Sequence, residues 1–305
     1  MNCSLAARLL LPLLSLLPAM VSAQAADDLQ PVTCGNCADW NRPQAPFNVV
    51  GNTWYVGTAG LSSVLITGPQ GHILVDGALP QSAPLIARNI AALGFRIEDV
   101  RLIVNSHPHA DHAGGIAWLQ RKSGAQVAAS QAAVAVLTTG ENPHEDPQYE
   151  GIKDMRMPKI AKVRGVRDGE TLAVGPLRIT AHLTPGHAPG GASWSWRSCG
   201  EKGAAPCHDV VFADSLYAAA DEGFRFSGDA GHPDLTPRFR ATIAKVAALP
   251  CDVLISAHPD ASGVMDKAAA RTEEHNAFVA PGACRAYADA ATRRLDDRLA
   301  KEQAR

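Results

Sequence analysis

Apolar residues in this chain fall in short runs, each ending at a polar or glycine-containing corner. Runs at 53–56, 63–66, 72–75 and 100–104 are rich in β-branched and aromatic residues and predict strands. Gly68-Pro69-Gln70-Gly71 separates the second run from the third, so those two are expected to pair as a hairpin. The period changes over 82–93. Leu85, Ile86, Ile90 and Leu93 share one helical face, Ser82 can cap the start, and Gly94 stops the pattern. A helix is predicted at 116–119, a strand at 126–128 and a short Ala-rich helix at 131–137. In the second half, strands are predicted at 177–183, 210–213 and 252–256, with a helix at 234–249 and a surface helix over the last 24 residues. Strands alternate with helices in both halves, and polar residues collect where strands end. That pattern predicts an α/β architecture with its site on the strand-end rim.

Two stretches interrupt this rhythm. Residues 27–48 read as an irregular N-terminal arm whose Trp40 and Phe47 must pack on the core or on the rim of a cleft. Residues 139–160 interleave Gly140, Pro143, Pro147, Gly151 and Pro158 with charges. Loops of that length in a compact domain are either substrate-binding segments or plain crossings, and both readings stand.

The first 26 residues differ from the rest. Arg8 precedes an apolar run from Leu9 to Met20, and small residues follow. This reads as a secretory signal over 1–23, with cleavage at Ala23 or up to residue 26, leaving 27–305 as one domain of two βα halves. Export favours disulfides. Six cysteines follow the leader: Cys34, Cys37, Cys199, Cys207, Cys251 and Cys284. Pairing within Cys199/Cys207, Cys251/Cys284 and Cys34/Cys37 suits their local settings. Six thiols allow 15 pairings, though, and Cys34-Gly35-Asn36-Cys37 can equally be read as half a zinc knuckle or a redox motif. The chain has 305 residues, 46% of them hydrophobic, and a net charge of -2. It has no basic run, which argues against nucleic acid as a partner. After the leader, no stretch is long and apolar enough to cross a bilayer.

The candidate chemistry lies at 107–112, directly after the 100–104 strand. His107-Pro108-His109-Ala110-Asp111-His112 places three imidazoles and a carboxylate within six residues, a density that points to metal. His107 and His109, two apart on extended backbone, can face one ion. His187, aimed by the Pro185-Gly186 turn, is the third ligand expected for it. Asp111 and His112 cannot easily share that ion, so they predict a second, completed by the strand-end His258. Two Zn²⁺ per chain are therefore expected, with three protein ligands each and room left for water. His144 reads as a solvent-exposed loop residue. His72, His182, His208, His232 and His275 carry no assigned role.

With these residues in place, the chain resembles the metallo-β-lactamase superfamily, whose H-x-H-x-D-H motif stands at 107–112. It is more closely similar to class B β-lactamases of the third subclass, over nearly the whole chain after the leader, from Trp40-Asn41-Arg42-Pro43 to Arg285-Ala286-Tyr287-Ala288-Asp289. The resemblance implies a four-layer αβ/βα sandwich, periplasmic export and the two-zinc assignment. It implies zinc-dependent hydrolysis of the β-lactam amide of penicillins, cephalosporins and carbapenems, conferring resistance, with poor turnover of monobactams. Asp111 would both ligate and orient the attacking oxygen, and no serine nucleophile would be needed. Ser215 occupies the place of a zinc-ligating Cys in the first subclass and is expected to face substrate, as is Gln148 of the long loop, whose neighbour Tyr149 is also placed on the cleft wall. Tyr217 is placed with them, although relatives often carry Ser there and the contact does not transfer directly. Asp214 is left outside the ligand set, although glyoxalase-like relatives use an Asp in a similar segment to bridge two metals. A monomer without stable membrane association is expected. The competing enzyme is a thioesterase or lactonase on the same fold. The competing non-enzyme is a closed zinc-binding protein.

Overall fold

The computed structural model describes residues 28–200 and 206–304, so the predicted leader lies outside the described residues. Two sheets form the centre. The first holds β1 (Phe47–Val50), β2 (Thr53–Tyr55), β3 (Val64–Ile66), β4 (His72–Val75), β5 (Val100–Val104), β6 (Gln126–Ser130) and β7 (Val163–Val166), in that spatial order. Strands β1 to β4 run antiparallel, and the predicted β3–β4 hairpin is present. From β4 onward, neighbours are parallel. The second sheet contains β8 (Thr171–Val174), β9 (Leu177–Leu183), β10 (Ala192–Cys199), β11 (Cys207–Ala213) and β12 (Val253–Ser256). Its order is β12-β11-β10-β9-β8, and only β11–β12 is parallel.

Alternation along the strands dictates the layering. Val75 and Val104 turn inward, where they meet Trp194, Trp196, Phe212 and Ile255 of the second sheet. Their neighbours Leu74 and Ile103 turn outward onto helices. In β11, Val210 and Phe212 face the inter-sheet core, while Val211 and Ala213 face the opposite helical layer. Successive strand side chains point to opposite faces. Segments buried on both faces must therefore read as unbroken apolar runs, which is why residues 73–75 of β4, 102–104 of β5, 210–213 of β11 and 253–255 of β12 are plain in the sequence. The result is the expected four-layer αβ/βα sandwich.

On the first sheet's outer face lie α1 (Cys37–Trp40), α2 (Ala83–Ala92), α3 (Ala110–Ala113), α4 (Ile116–Ser123) and α5 (Val134–Thr139). Ser82 does not cap α2. It ends a 3-10 turn over Pro80–Ser82, and its hydroxyl donates to Asn41 Oδ1 at 2.6 Å, tying the N-terminal arm to the start of α2. The long loop carries one short helix, α6 (Tyr149–Ile152). The second sheet is covered by α7 (Thr236–Ala247) and α9 (Ala283–Gln303), with α8 (Val264–Ala269) between them in sequence. Disulfides join Cys34 to Cys37, Cys199 to Cys207 across the β10–β11 hairpin, and Cys251 to Cys284 at the start of α9. No helix among the described residues is long and apolar enough to cross a membrane.

The surface-helix reading of the C-terminus holds for only one side of α9, because Cys284, Tyr287, Ala288, Ala291 and Leu295 are buried. Its last turn is also anchored. Glu302 accepts hydrogen bonds from Phe226 N, Ser227 N and Ser227 Oγ, and from Arg298 Nε. Burial alone would raise the Glu302 pKa, but Arg298 and these donors hold it down at about 2 against an ordinary 4.5. A depressed carboxylate stabilises the folded state above its unfolded pKa, and that contribution disappears as pH falls through the folded one. Glu302→Gln is therefore expected to lower stability by about 2 kcal/mol at neutral pH. The gap from wild type should shrink between about pH 4.5 and pH 2, read from urea midpoints across pH. A gap independent of pH would refute the electrostatic assignment.

Candidate metal centre

Strand ends build the site, as the polarity pattern predicts. β5 runs out at Val104 into extended backbone, and His109 keeps φ -82 and ψ 153 before α3 begins. His107 and His109 therefore project to one side. The helical turn that follows then swings Asp111 and His112 away from them. This local switch from extended to helical backbone is why one six-residue motif can feed two positions. His187 arrives from the turn after β9. Gly186 packs so closely on Phe239 that any Cβ there would overlap the ring, which explains the glycine in that turn. His258 follows β12. Two contacts lock the halves together beneath the site: Ala192 N donates to Ser106 O at 2.7 Å, and Trp194 Nε1 donates to Asn105 O at 3.0 Å.

The donor atoms of His107, His109 and His187 lie within 4.8 Å of one another, as do those of His107, Asp111 and His112. Asp111 Oδ2, His112 Nε2 and His258 Nε2 form a near-equilateral triangle with sides of 3.2–3.3 Å. A tetrahedral zinc about 2.0–2.1 Å from each ligand needs donors about 3.3–3.4 Å apart, so this triangle fits such an ion. The outward ring nitrogens are anchored. His107 Nδ1 meets Asp214 Oδ1 at 2.7 Å, His109 Nε2 meets Asp146 Oδ2 at 2.8 Å, and His187 Nδ1 donates to Tyr217 O at 2.9 Å. His107 Nε2 is buried and has no hydrogen-bond partner among the described residues. A buried nitrogen left bare in this way is costly unless something else binds it. Metal-ligating histidines characteristically present one nitrogen to the ion and fix the other with a carboxylate or carbonyl.

The electrostatics agree. Burial, reinforced by the neighbouring imidazoles, pushes His107 well below the usual histidine range and His187 down to about 3. Both rings stay neutral, with a lone pair to offer. Around the second triangle the balance is opposite. Burial would lower His112, but Asp111 and Asp76 outweigh it and raise it to about 10. Burial would raise Asp111, yet His112 and His258 hold it well below the usual carboxylate range. This corner is a place where the fold stabilises a positive charge. Burial raises Asp214 well above its ordinary value.

The site opens into a cleft of about 1000 Å³ lined by His109, Asp111, His187, His258, Ser215 and Gln148, among others. Gln148 Nε2 stands 3.4 Å from His187 Nε2. Tyr217 also lines the cleft and is 55% exposed, the one large apolar side chain so exposed among the described residues. Tyr149, by contrast, turns to His144, its hydroxyl 3.1 Å from the His144 ring on the outside of the loop. Three supporting residues, Asp76, Asp146 and Tyr287, escaped the sequence reading, whereas Trp40 takes the cleft-rim place open to it. Asp76 and Asp146 brace the histidines. Trp40 packs its ring 5.1 Å from that of His258, and Tyr287 donates to Asp214 O at 3.0 Å. Of those three, Asp76 alone left a trace, as a polar residue ending an apolar strand.

The chain belongs to the metallo-β-lactamase superfamily, whose family model matches residues 57–269. Within it, the structure is similar to the Rm3 metallo-β-lactamase, at 52% identity and TM-score 0.85 over 89% of this chain and all of that one. It is also similar to MEM-A1, a subclass B3 metallo-β-lactamase from a soil metagenome library. Identity there is 51% and the TM-score 0.82, over 87% of this chain and 99% of that one. Among curated proteins, a probable metallo-hydrolase of Burkholderia pseudomallei (strain 1710b) is 34% identical over 34% of this chain and 33% of its own length. The chain spans about a third to about half of the length of the curated relatives it matches.

Proposed function

We propose that this protein is an exported, monomeric, zinc-dependent β-lactamase of the third subclass, acting in the periplasm on penicillins, cephalosporins and carbapenems and so conferring resistance. The observation that carries this is the donor set: two triads opening on one cleft, with the outward nitrogens of His107, His109 and His187 fixed by protein groups. In this reading His107, His109 and His187 hold one zinc, and Asp111, His112 and His258 hold the other. Bound there, zinc would supply a nucleophilic water at neutral pH and polarise the scissile carbonyl.

The rest falls to the chain's own groups. Asp111, ionised at any physiological pH, orients the attacking water. Asp214, Asp146 and the Tyr217 carbonyl hold the imidazoles in the tautomers that keep their inner nitrogens free. Asp214 therefore serves as a positioning residue for His107 and not as a ligand. Gln148, beside His187, and Ser215, at the end of β11, line the cleft where they can orient the substrate. Trp40 and the N-terminal arm wall the site off on the His258 side. No acyl-enzyme is required. Membrane attachment plays no part in the reading.

The test is hydrolysis of a penicillin, a cephalosporin, a carbapenem and a monobactam, before and after chelation, with a thioester and a lactone alongside. The first three should be turned over and a chelator should stop them, while the monobactam is turned over poorly. Thioester or lactone turnover in place of all β-lactams would contradict the reading.

A further inference from the structure

The C-terminal helix brings to the cleft a cation that the metal chemistry does not use. Positions 287, 291, 294 and 298 follow helical spacing, so Tyr287, Ala291, Arg294 and Arg298 form one stripe of α9. Tyr287 fixes the near end of that stripe to the site, donating to Asp214 O at 3.0 Å and accepting from Leu216 N at 3.3 Å. Seven residues further on, about 10 Å along the helix axis, Arg294 lines the same cleft. Its guanidinium carbon stands 5.9 Å from the centre of the Tyr217 ring. The Tyr217 backbone carbonyl is in turn the acceptor that orients His187.

Arg298, the other arginine on this wall, is committed to Glu302 at 2.8 Å and to Phe224 O at 2.7 Å. Arg294 has no such commitment. Its Nε is buried without a hydrogen-bond partner, and it pairs with no carboxylate among the described residues. A guanidinium is charged at every working pH and presents a planar fork of donors that matches a carboxylate. Held over an exposed aromatic face, it is oriented without being neutralised.

We infer that Arg294 is a specificity-determining residue that binds the anionic group of the substrate, the carboxylate borne by bicyclic β-lactams, with Tyr217 as the platform that holds it. The inference rests on the β-lactamase reading and deepens it.

The experiment compares a penicillin or cephalosporin as the free acid with its neutral methyl ester, using the zinc-loaded full-length protein and the variants Arg294→Ala, Arg294→Gln and Arg294→Lys. Arg294→Ala is expected to raise KM for the free acid about tenfold, equivalent to about 1.4 kcal/mol, with kcat changed less than twofold and zinc content unchanged. KM for the ester should not move. Arg294→Gln, closer in shape, should behave like the alanine variant, and Arg294→Lys should recover part of the loss because it restores charge without the fork. If KM rises equally for acid and ester, or for neither, Arg294 does not read the anion and the inference is overturned while the enzyme reading survives. If the wild-type protein turns over neither compound, both fall together.

Discussion

Asp111→Ala is expected to lower β-lactam turnover by at least about a thousandfold, about 4 kcal/mol in activation free energy. It should also reduce bound zinc from two ions to one. Asp111 is the only carboxylate in the second triad, and its Oδ2 lies 3.3 Å from both His112 Nε2 and His258 Nε2. Without it, two imidazoles face each other with no anion to balance a divalent ion. The first triad keeps all three donors, so one metal should remain. The fold should survive as well, since Asp111 is partly exposed and braces no core element. Measuring metal content beside kcat separates this from general damage. Two zincs retained with activity lost would reassign Asp111 from ligand to proton carrier.

The largest expected loss of stability comes from Asp76→Ala. Asp76 is fully buried and accepts from Asn105 Nδ2 at 3.0 Å, Ser106 N at 2.7 Å and Ser106 Oγ at 2.6 Å. It also stands 3.5 Å from His112 Nδ1. Removing the carboxylate strands three buried donors, and losing one partner of a buried charged network costs about 3–5 kcal/mol. The position adds strain of its own, because Asp76 holds a φ of 59, a conformation that few side chains other than Asn and Asp tolerate. Asp76→Asn keeps the shape and the backbone preference and should cost less than half as much. Both variants should weaken zinc at the second site, by about 10–100-fold, because His112 loses its orienting neighbour. Urea midpoints and zinc titration read the two effects separately. A variant as stable as wild type would remove Asp76 from the account.

The sequence and the structure meet most closely at strand ends. The C-terminal parts of β4, β5 and β11, and all of β12, are buried on both faces, so their apolar runs are uninterrupted there and the residues that follow stand out. Five of the six proposed metal ligands follow β5 or β12, and the sixth, His187, follows β9. β8 and β10 were harder to read because their burial is mixed. β10 alternates Ser193 and Ser195 with Trp194 and Trp196, and two of its buried positions, Ser193 and Ser198, are polar. The supporting groups were hidden for a different reason. Asp146 sits in a loop with no periodicity to mark it, and its pairing with His109 spans 37 residues. Tyr287 belongs to a helix whose buried side holds Ala288, Ala291 and even Glu302 beside Leu295, while alanines also lie on its outer side, so its face toward the site does not stand out from its face toward water. Ser82 shows local propensity overridden by tertiary structure, since a hydroxyl suited to capping its own helix instead holds the N-terminal arm through Asn41.

The central claim is that two triads, each holding one zinc, act on one β-lactam. The direct measurement is carbapenem hydrolysis during titration of the chelated protein with zinc, with bound metal counted at each step. The account predicts no activity in the metal-free protein, two zincs bound at saturation, and full turnover restored as the two sites fill. Carbapenem hydrolysis as fast after complete zinc removal as before would contradict it. So would two bound zincs with no hydrolysis of any β-lactam.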